Sequence, residues 1–580
     1  MWSTMAVIQR SQESRCTLLH TSPSKLPSED SGSTMEVASA AGTESWLPYA
    51  TTVASCTVGV FFLFYFYAPS WGVRGVPGPP ALPVVGHLPL LARHGPDVFC
   101  LLAKKYGPIF RFHLGRQPLV IVADPELCRE VGVRQFKSIP NRSLPAPIAG
   151  SPLHQKGLFF TRDEQWSAMR NTIISLYQPS HLAGLLPTMQ RCIERAADAI
   201  EAAAAQEHGK IVDFSDLSLK LATDVIGQAA FGVDFGLTAH GRGDGEAAEF
   251  VREHVHSTTS LKMDLSAPLS VTLGLVAPAL QGPARRLLRR VPGTADRSVA
   301  RTNARLRRRV DDIVAARDRG RRRGGEGKRD FLSAVLDARD RSAALRELLT
   351  PDHVSALTYE HLLAGSATTA FTLSSAVYLV AGHPEVEAKL VGEIDRFGPR
   401  DSVPSADELQ HRFPYLDQAS ATRQHASSSD DEMNVIKEAM RFYTVSPLIA
   451  RVTSQQVELG GYTLPKGTWL WMAPGVLSRD AASFPDPGAF RPERFDPACE
   501  EQRRRHPCAH IPFGVGPRAC VGQRFALQEV KLSMVHLYQR FVFRRPPRME
   551  ESPPELQLGI VLNFKNGIKL VAVERRANTV

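Results

Sequence analysis

The sequence of 580 residues contains no C-x-x-C pair, although it has eight cysteines. These cysteines are scattered without a pairing pattern, which argues against a disulfide framework and against a zinc site. No segment repeats at a fixed period, so the sequence does not indicate a solenoid or propeller. Hydrophobic residues make up 43% and charged residues 22% of the chain, as in a globular protein. A catalytic domain that faces a reducing compartment fits these limits best.

Aromatic residues are absent from the most basic stretch of the chain, residues 285–329. Much of the formal net charge of +10 lies there. Proteins that bind single-stranded nucleic acid combine basic residues with aromatic side chains on which bases stack. We therefore interpret this stretch as a solvated helix and loop, and expect no nucleic-acid partner.

Charged residues are also absent from Ser45 to Val73. Within this stretch, Leu47–Ala68 is apolar and about long enough to cross a bilayer as a helix. Aromatic residues that suit membrane interfaces lie near its ends, namely Trp46, Tyr65, Tyr67 and Trp71. A signal peptide or a buried core helix are the alternatives, but the run is long for the apolar part of a signal peptide. We predict a transmembrane anchor over residues 46–69, with the C-terminal bulk of the chain in the cytosol.

The remaining chain divides into three further parts. Residues 1–45 form an N-terminal extension, either lumenal or, before Met35, an artefact of an over-extended gene model. Residues 70–91 are rich in proline, which stiffens a chain, and are interpreted as a strap between anchor and domain. Residues 92–580 are interpreted as one domain. Its patterns predict a mainly α-helical class with small β-sheets: helices at 180–205, 214–230, 300–319, 353–382, 384–397 and 523–541, and strands at 108–115, 118–124, 457–465 and the C-terminal end.

One cysteine has unusual surroundings. Cys520 lies in the run FGVGPRACVG, residues 513–522, just before a predicted helix. Core cysteines usually lie among aliphatic residues on regular elements, whereas glycine and proline here shape a tight loop. Arg518 and the following helix N-terminus both favour a thiolate, and Gly522 permits close approach after the thiol. The pattern predicts a thiolate that is held in place for a ligand.

Five residues of this loop fit the pattern F-x-x-G-x-R-x-C-x-G, namely Phe513, Gly516, Arg518, Cys520 and Gly522. In this loop the sequence resembles the cytochrome P450 family, and further motifs follow in the family's order over essentially everything after the strap. The resemblance implies the P450 fold, haem b with Cys520 as its axial thiolate, and monooxygenase activity. It also implies O₂ as oxidant, NADPH–cytochrome P450 reductase as partner, and a single-pass protein of the endoplasmic reticulum membrane.

The resemblance also assigns roles to residues outside the loop. A buried ionic triad is implied for Glu438 and Arg441 of the E-x-x-R motif with Arg494 of PERF. Contacts to the haem propionates are implied for Trp166, Arg170, Arg451 and Arg518. Catalytic positions on the oxygen-binding helix are implied for Gly365, Thr368 and Thr369 in the run AGSATT.

The chain departs from the family pattern at two places. The pattern A/G-G-x-D/E-T-T has a carboxylate where this chain has Ala367. A relay through Thr368 and water, assisted by Ser366 or Thr369, is the expected substitute. A haem-thiolate isomerase or dehydratase, which needs no such relay, is the alternative function. The second departure is the polar segment 419–434, which splits FPYLDQ from VIKEAMRFY. We interpret it as an insertion, such as a retained intron.

Within the family, four runs are similar to the plant More Axillary Growth class. They are GVPGPPALPVVGHLPLL, SPLHQKGLFFTRDEQWSAMRNTIISLYQPSHLA, TYEHLLAGSATTAFTLSS and IPFGVGPRACVGQRFALQEVKL. This resemblance implies a small apolar apocarotenoid substrate, carlactone, whose methyl group is oxidised through alcohol and aldehyde to carlactonoic acid. It also implies further ring closure, to orobanchol- or deoxyorobanchol-type products, in some members. A monooxygenase of a different plant terpenoid or apocarotenoid is the other alternative.

Overall fold

The computed structural model describes residues 47–146, 148, 151–204, 211–239, 245–262, 266–323, 330–399, 402–413, 416, 435–550, 552–559 and 561–575. The chain divides into two units, Met1–Val60 and Phe61–Val580. The predicted N-terminal extension and the predicted insertion 419–434 lie outside the described residues. The mainly helical class with small sheets is confirmed.

The described part of the first unit belongs to one helix, and the second unit contains the other helices and all strands of the described chain. The helices of the N-terminal half are α1 Leu47–Tyr67, α2 Leu88–His94, α3 Val98–Tyr106, α4 Pro125–Arg129, α5 Pro152–Gln155, α6 Asp163–Ile173, α7 Pro179–Ala183, α8 Leu186–Ala204, α9 Phe214–Phe231, α10 Glu246–Thr259, α11 Leu269–Val276 and α12 Pro278–Leu288. Those of the C-terminal half are α13 Ala295–Arg322, α14 Phe331–Arg341, α15 Ala343–Leu348, α16 Pro351–Ala381, α17 Pro384–Phe397, α18 Ala406–His411, α19 Val435–Phe442, α20 Pro474–Leu477, α21 Glu500–Arg504, α22 Gln523–Arg540 and α23 Pro547–Glu550.

The strands of the described residues form one larger sheet and three small ones. They are β1 Ile109–Leu114, β2 Gln117–Val122, β3 Ile211–Asp213, β4 Ile449–Val452, β5 Val457–Leu459, β6 Tyr462–Leu464, β7 Trp469–Met472, β8 Phe541–Arg544, β9 Leu556–Leu558, β10 Leu562–Phe564 and β11 Lys569–Glu574. The larger sheet has the order β1-β2-β7-β4, in which only β2 and β7 are parallel. A three-stranded sheet has the order β3-β11-β8, and β5-β6 and β9-β10 are antiparallel pairs.

Two helical stretches of the described chain are long and apolar enough to cross a membrane, Tyr49–Val73 and Pro351–Ala381. In the second stretch, 67% of the most apolar window is buried inside the protein, so its apolar composition reflects a core position. In the first, only 6% of the window is buried. Its apolar side chains therefore face outward, and the predicted anchor over residues 46–69 stays a prediction.

The core helix α16 carries the AGSATT run and packs most extensively against α9. Gly365 makes this close packing possible, because a Cβ atom there would lie 2.9 Å from the Ile226 side chain of α9. The helix also contacts α19, α22 and α13, so it is surrounded by other elements of the domain. Residues on α16 are therefore fixed in position by packing on several sides.

The predicted elements differ from the structure in two instructive places. The predicted helix 180–205 is two helices, α7 and α8, with a break at Gly184. The predicted strand 457–465 is the hairpin β5-β6, because Gly460 and Gly461 have φ of +56° and +81° and turn the chain back. In both cases glycine ends the element that the apolar pattern continues.

Candidate active site

The loop before α22 is held in a narrow range of conformations. The Cys520 amide donates a hydrogen bond of 2.8 Å to the Phe513 carbonyl, which closes the loop. Gly514 and Gly516 have φ of +79° and +75°, which residues with a side chain rarely adopt. A Cβ atom at Gly516 would also lie 1.8 Å from the Gly132 carbonyl oxygen. The glycines are therefore required both by backbone conformation and by close contact with the segment at Gly132.

Part of Cys520, at the end of this loop, reaches the protein surface, although protein atoms fill most of the space around its sulfur. Burial by the surrounding protein raises the pKa of Cys520, while the Gly522 amide and the guanidinium groups of Arg170 and Arg142 lower it. We expected Arg518 to favour the Cys520 thiolate as well, but it is not among the groups that lower this pKa, because its guanidinium binds elsewhere. The sequence places Arg518 two residues from the thiol, but the side chain turns away from it.

Four arginines surround this region, and the chain supplies them with few acceptors. They are Arg142, Arg170, Arg451 and Arg518. Arg170 donates to the Ala519 carbonyl at 3.0 Å, and Arg142 donates to the Arg518 carbonyl at 3.3 Å. Among the described residues, none of the four forms an ion pair with a carboxylate. The protein thus gathers several cations at one place, and the nearby carboxylates Glu360 and Asp163 offset part of their charge without direct contact.

Several buried nitrogens of these four arginines also lack a hydrogen-bond acceptor. Arg451 is fully buried, and its Nε and Nη2 have no partner, as is also true of Arg518 Nη1 and Arg142 Nε. Burial and the other arginines lower the pKa of Arg451 well below its usual range. Burial is also the main cause that lowers the pKa of Arg518 to about 9 and that of Arg142 to about 10. Such a cluster is costly unless an anionic ligand with several oxygens pairs with it.

Trp166 fixes the position of one of these cations. The Arg518 guanidinium lies 4.0 Å from the centre of the Trp166 ring, a favourable cation–π contact. Arg518 also donates to Asn141 Oδ1 and to the Thr161 carbonyl, both at 3.1 Å. The W-x-x-x-R motif on α6 and the cysteine loop therefore lie next to each other.

The three predicted triad residues are in direct contact and fully buried. Glu438 receives Arg441 Nε at 2.7 Å and Arg494 Nε at 3.0 Å, and all three side chains are 0% exposed. Arg494 also pairs with Glu501 at 3.2 Å, which the sequence pattern does not indicate. The network joins α19 to the PERF segment and, through Glu501, to α21.

The predicted oxygen-binding residues lie on different sides of α16. The Thr368 hydroxyl donates to the Ala364 carbonyl, and Ala364 itself is exposed although most of the helix is buried. Thr369 is buried and its hydroxyl has no partner. Gly365 packs against α9. The helix is thus open at Ala364, whereas Gly365 and Thr368 are half-buried and Thr369 lies within the protein.

Two residues at this site have no motif that predicts them. Arg142 contacts a residue 376 positions away in the sequence, so local spacing carries no signal for it. Glu360 lies on α16 two turns before Ala367, and one of its oxygens accepts a hydrogen bond of 2.6 Å from the Phe159 amide. Burial raises the pKa of Glu360 to about 7, against the opposing effect of backbone amides and Arg142. The only feature of the sequence that could have pointed to Glu360 is its charge within an otherwise apolar stretch of helix.

The residues present fit an iron porphyrin. No group of three or more His, Cys, Asp or Glu residues converges on a metal position in the described chain, so a bound iron would need most of its ligands from its own cofactor. Cys520 offers one sulfur, and the arginine cluster offers partners for two carboxylates. A Cβ atom at Gly522 would meet only Tyr177, at 3.6 Å, so the protein leaves room beside the thiol.

Comparisons with known proteins agree with this geometry. A family model described as cytochrome P450 matches residues 76–571. The chain is 27% identical to thromboxane-A synthase of Macaca fascicularis, over 86% of this chain and 92% of the relative. It is 28% identical to cytochrome P450 3A12 of Canis lupus familiaris, over 94% and 99%, and 29% identical to cytochrome P450 3A6 of Oryctolagus cuniculus, over 86% and 91%. The chain therefore belongs to the cytochrome P450 family, whose members bind haem through a cysteine thiolate.

Proposed function

We propose that this cytochrome P450 monooxygenase acts on carlactone and oxidises one methyl group through the alcohol and the aldehyde to carlactonoic acid. The observation that carries the proposal is the run AGSATT on α16, in which alanine replaces the carboxylate of the family pattern. The same run, with its missing acid, is similar to the More Axillary Growth class. The coarser assignment, a haem monooxygenase, does not depend on this substrate.

The open face of α16 supports an apolar substrate. Ala364 and Ala367 present methyl groups there, and Thr368 offers one hydroxyl. The charged group closest to this face along the helix is Glu360, which is held by the Phe159 amide. An apocarotenoid with few polar atoms suits such a lining, because apolar surfaces gain from mutual burial.

We propose that the chain's own residues hold the cofactor as follows. Cys520 would provide the thiolate sulfur, and Arg142, Arg170, Arg451 and Arg518 would pair with the two propionates, with Trp166 fixing Arg518. Haem ligated by a thiolate supplies the activation of O₂ for insertion of one oxygen atom. The protein would orient the substrate methyl group for this reaction, and the Thr368 hydroxyl would take part in proton delivery.

The cellular setting follows from the N-terminal helix and the family. We propose that residues 46–69 anchor the protein once in the endoplasmic reticulum membrane, with the haem domain in the cytosol. The exposed apolar stretch Tyr49–Val73 supports this anchor. Electrons then come from NADPH through NADPH–cytochrome P450 reductase, the partner of microsomal members of the family.

Microsomes that contain the full-length protein and a reductase test the substrate. Carlactone and NADPH are added, and products are identified by mass spectrometry. Carlactonoic acid that carries ¹⁸O from ¹⁸O₂ is the expected product, and Cys520→Ser is the control that should form none. A native protein that shows a thiolate-type carbon monoxide spectrum but does not consume carlactone contradicts the substrate and leaves the monooxygenase assignment intact.

A second candidate, a haem-thiolate isomerase or dehydratase, is favoured by one feature. Ala367 removes the group that the family pattern provides for proton delivery, and an isomerase needs no such delivery. Some relatives are also synthases by name, namely the thromboxane-A synthases. Product formation from an oxygenated substrate without O₂ and without reductase would favour this candidate. A strict requirement for both would exclude it.

A further inference from the structure

Segment 157–161, which follows α5, is joined to the core helix α16 at Glu360. The Phe159 amide donates a hydrogen bond of 2.6 Å to Glu360 Oε1. Gly157 makes this contact possible, because a Cβ atom there would lie 2.4 Å from Glu360 Oε2. The carboxyl group of Glu360 therefore lies directly against the backbone of the segment, in a space that glycine leaves free.

The same segment holds two of the four arginines around the cysteine loop. The Arg142 guanidinium lies 3.7 Å from the centre of the Phe159 ring, a favourable cation–π contact. The Thr161 carbonyl accepts a hydrogen bond of 3.1 Å from Arg518. Arg142 in turn donates to the Arg518 carbonyl. A displacement of segment 157–161 would therefore move both cations.

Glu360 also acts on these arginines through its charge. Burial lowers the pKa of Arg142 and that of Arg518, and the nearby Glu360 carboxyl opposes this effect. Among the described residues, however, Glu360 forms no ion pair with either arginine. The hydrogen bond to Phe159 and the close contact with Gly157 are the direct links, so the geometry favours a role in positioning over a role in charge pairing.

A second contact joins the chain just before this segment to α16. Lys156 forms an ion pair with Asp352 in the first turn of the helix. Both side chains are more than a third exposed, at 37% and 38%. Ion pairs that are this exposed contribute little to stability. The Lys156 pair therefore offers a matched control for the contact at Glu360.

We propose that Glu360 is a positioning residue of the haem site. Its carboxyl group fastens segment 157–161 to α16, and the segment holds Arg142 and Arg518 where they would pair with the haem propionates. Glu360 acts through Phe159 and the backbone of the segment. The inference rests on the haem binding of the proposed function, and not on carlactone as the substrate.

Transfer of haem from the loaded full-length protein to apomyoglobin tests this role, because absorbance follows it and no substrate is needed. Glu360→Leu removes the acceptor of the Phe159 amide. It should release haem about tenfold faster than the native protein, the order expected for loss of one buried hydrogen bond. Glu360→Gln keeps an oxygen for this amide and should release haem no faster than the native protein. Lys156→Met should also keep the native rate.

Two results of this comparison would overturn the proposal. One is a native rate of haem release in Glu360→Leu. The other is equal acceleration in Glu360→Leu and Glu360→Gln, which would show that the charge of the carboxylate, and not its hydrogen bond, supports the site.

A second variant separates positioning from a general loss of stability. Gly157→Ala places a methyl group where the Glu360 carboxyl lies, so it should displace the carboxyl and accelerate haem release as Glu360→Leu does. The double variant should release haem no faster than either single variant, because both changes break the same contact. Independent effects that multiply in the double variant would contradict a shared route through segment 157–161.

The outcomes also distinguish this inference from the proposed function. A native protein that holds haem but does not consume carlactone defeats only the substrate proposal. A native protein that holds haem, with native release rates in Glu360→Leu and Gly157→Ala, defeats only the role of Glu360. A native protein that binds no haem would overturn both.

Discussion

The Ile436 amide donates a hydrogen bond of 3.2 Å to the Leu416 carbonyl, although the two residues are twenty positions apart in the sequence. Leu416 is 0% exposed, and its own amide donates to Glu393 at 3.1 Å. If residues 419–434 were absent, Leu416 and Ile436 would be four positions apart. Four positions is the spacing of an α-helical hydrogen bond. The two ends of the interrupted sequence are therefore joined as one helix would join them.

We propose on this basis that residues 419–434 are an insertion, and we predict that their deletion stabilises the protein. The deletion should let α19 start from Leu416, and it removes the entropic cost of closing a loop. For a loop of this length that cost is on the order of 2–3 kcal/mol. The deleted and full-length forms should be compared by melting temperature and by carbon monoxide difference spectrum per unit of protein.

The same comparison has a built-in control. Replacing residues 419–434 with a Gly/Ser segment of equal length keeps the length of the insertion and should leave stability near that of the full-length protein. Equal melting temperature and equal haem content in the deleted and full-length forms would show that the segment is a neutral surface loop.

Arg494→Met should strongly destabilise the fold, because it leaves Glu438 buried with one of its two cations removed. The expected loss is about 3–5 kcal/mol in the free energy of unfolding. Lys389→Met is the matched control, since Lys389 pairs with Glu493 at 2.9 Å but both side chains are more than 40% exposed. That exposed pair should contribute at most about 1 kcal/mol. Similar losses in the two variants, measured by chemical unfolding, would show that burial does not set the strength of the triad.

Arg451→Met should have opposite effects on the haem-free and haem-loaded forms. Within the described part of the chain, the Arg451 guanidinium donates one hydrogen bond, to the Ala450 carbonyl, so without haem the buried charge is a cost. Replacing it with methionine should stabilise the haem-free protein by about 1–4 kcal/mol. With haem, a propionate loses its partner, and transfer of haem to an acceptor protein should accelerate. Destabilisation of the haem-free form would contradict the account of the arginine cluster.

Glu360→Gln should change how stability depends on pH. The pKa of Glu360 rises from 4.5 to about 7 on folding, so the folded state keeps a proton that the unfolded state has lost. The native protein must therefore lose stability as pH rises from about 4.5 to 7. The glutamine variant has no carboxyl group at this position, so its stability should not show this loss. The variant should gain on the order of 3 kcal/mol relative to the native protein by pH 8. Parallel curves of unfolding free energy against pH would refute the raised pKa.

Long elements with a continuous apolar pattern could be predicted from the sequence. The predicted helices 214–230 and 384–397 correspond to α9 and α17 within one residue at each end. The short helices and the break between α7 and α8 could not be predicted in this way, because glycine, proline and tertiary packing determine where they begin and end. The hairpin β5-β6 was missed for the same reason.

The candidate site likewise contains residues that the sequence predicts and residues that it does not. Cys520, Trp166 and Glu438 belong to motifs with fixed spacing, so the sequence alone points to them. Arg142 and Glu360 belong to no motif, since their neighbours come from distant parts of the chain. Only the fold brings these side chains to the cysteine loop and to segment 157–161. The direction of Arg518 towards Trp166, away from the thiol, also depends on contacts that spacing does not encode.

The central claim is that Cys520 is the thiolate ligand of the haem, and the carbon monoxide spectrum of the reduced protein tests it most directly. The native protein should show the thiolate-type absorption, and Cys520→His should lose it together with product formation while it keeps bound haem. Cys508→His is the matched control, because Cys508 is a buried cysteine outside the loop, and its haem spectrum should be of the native type. Retention of the thiolate-type absorption in Cys520→His would contradict the account.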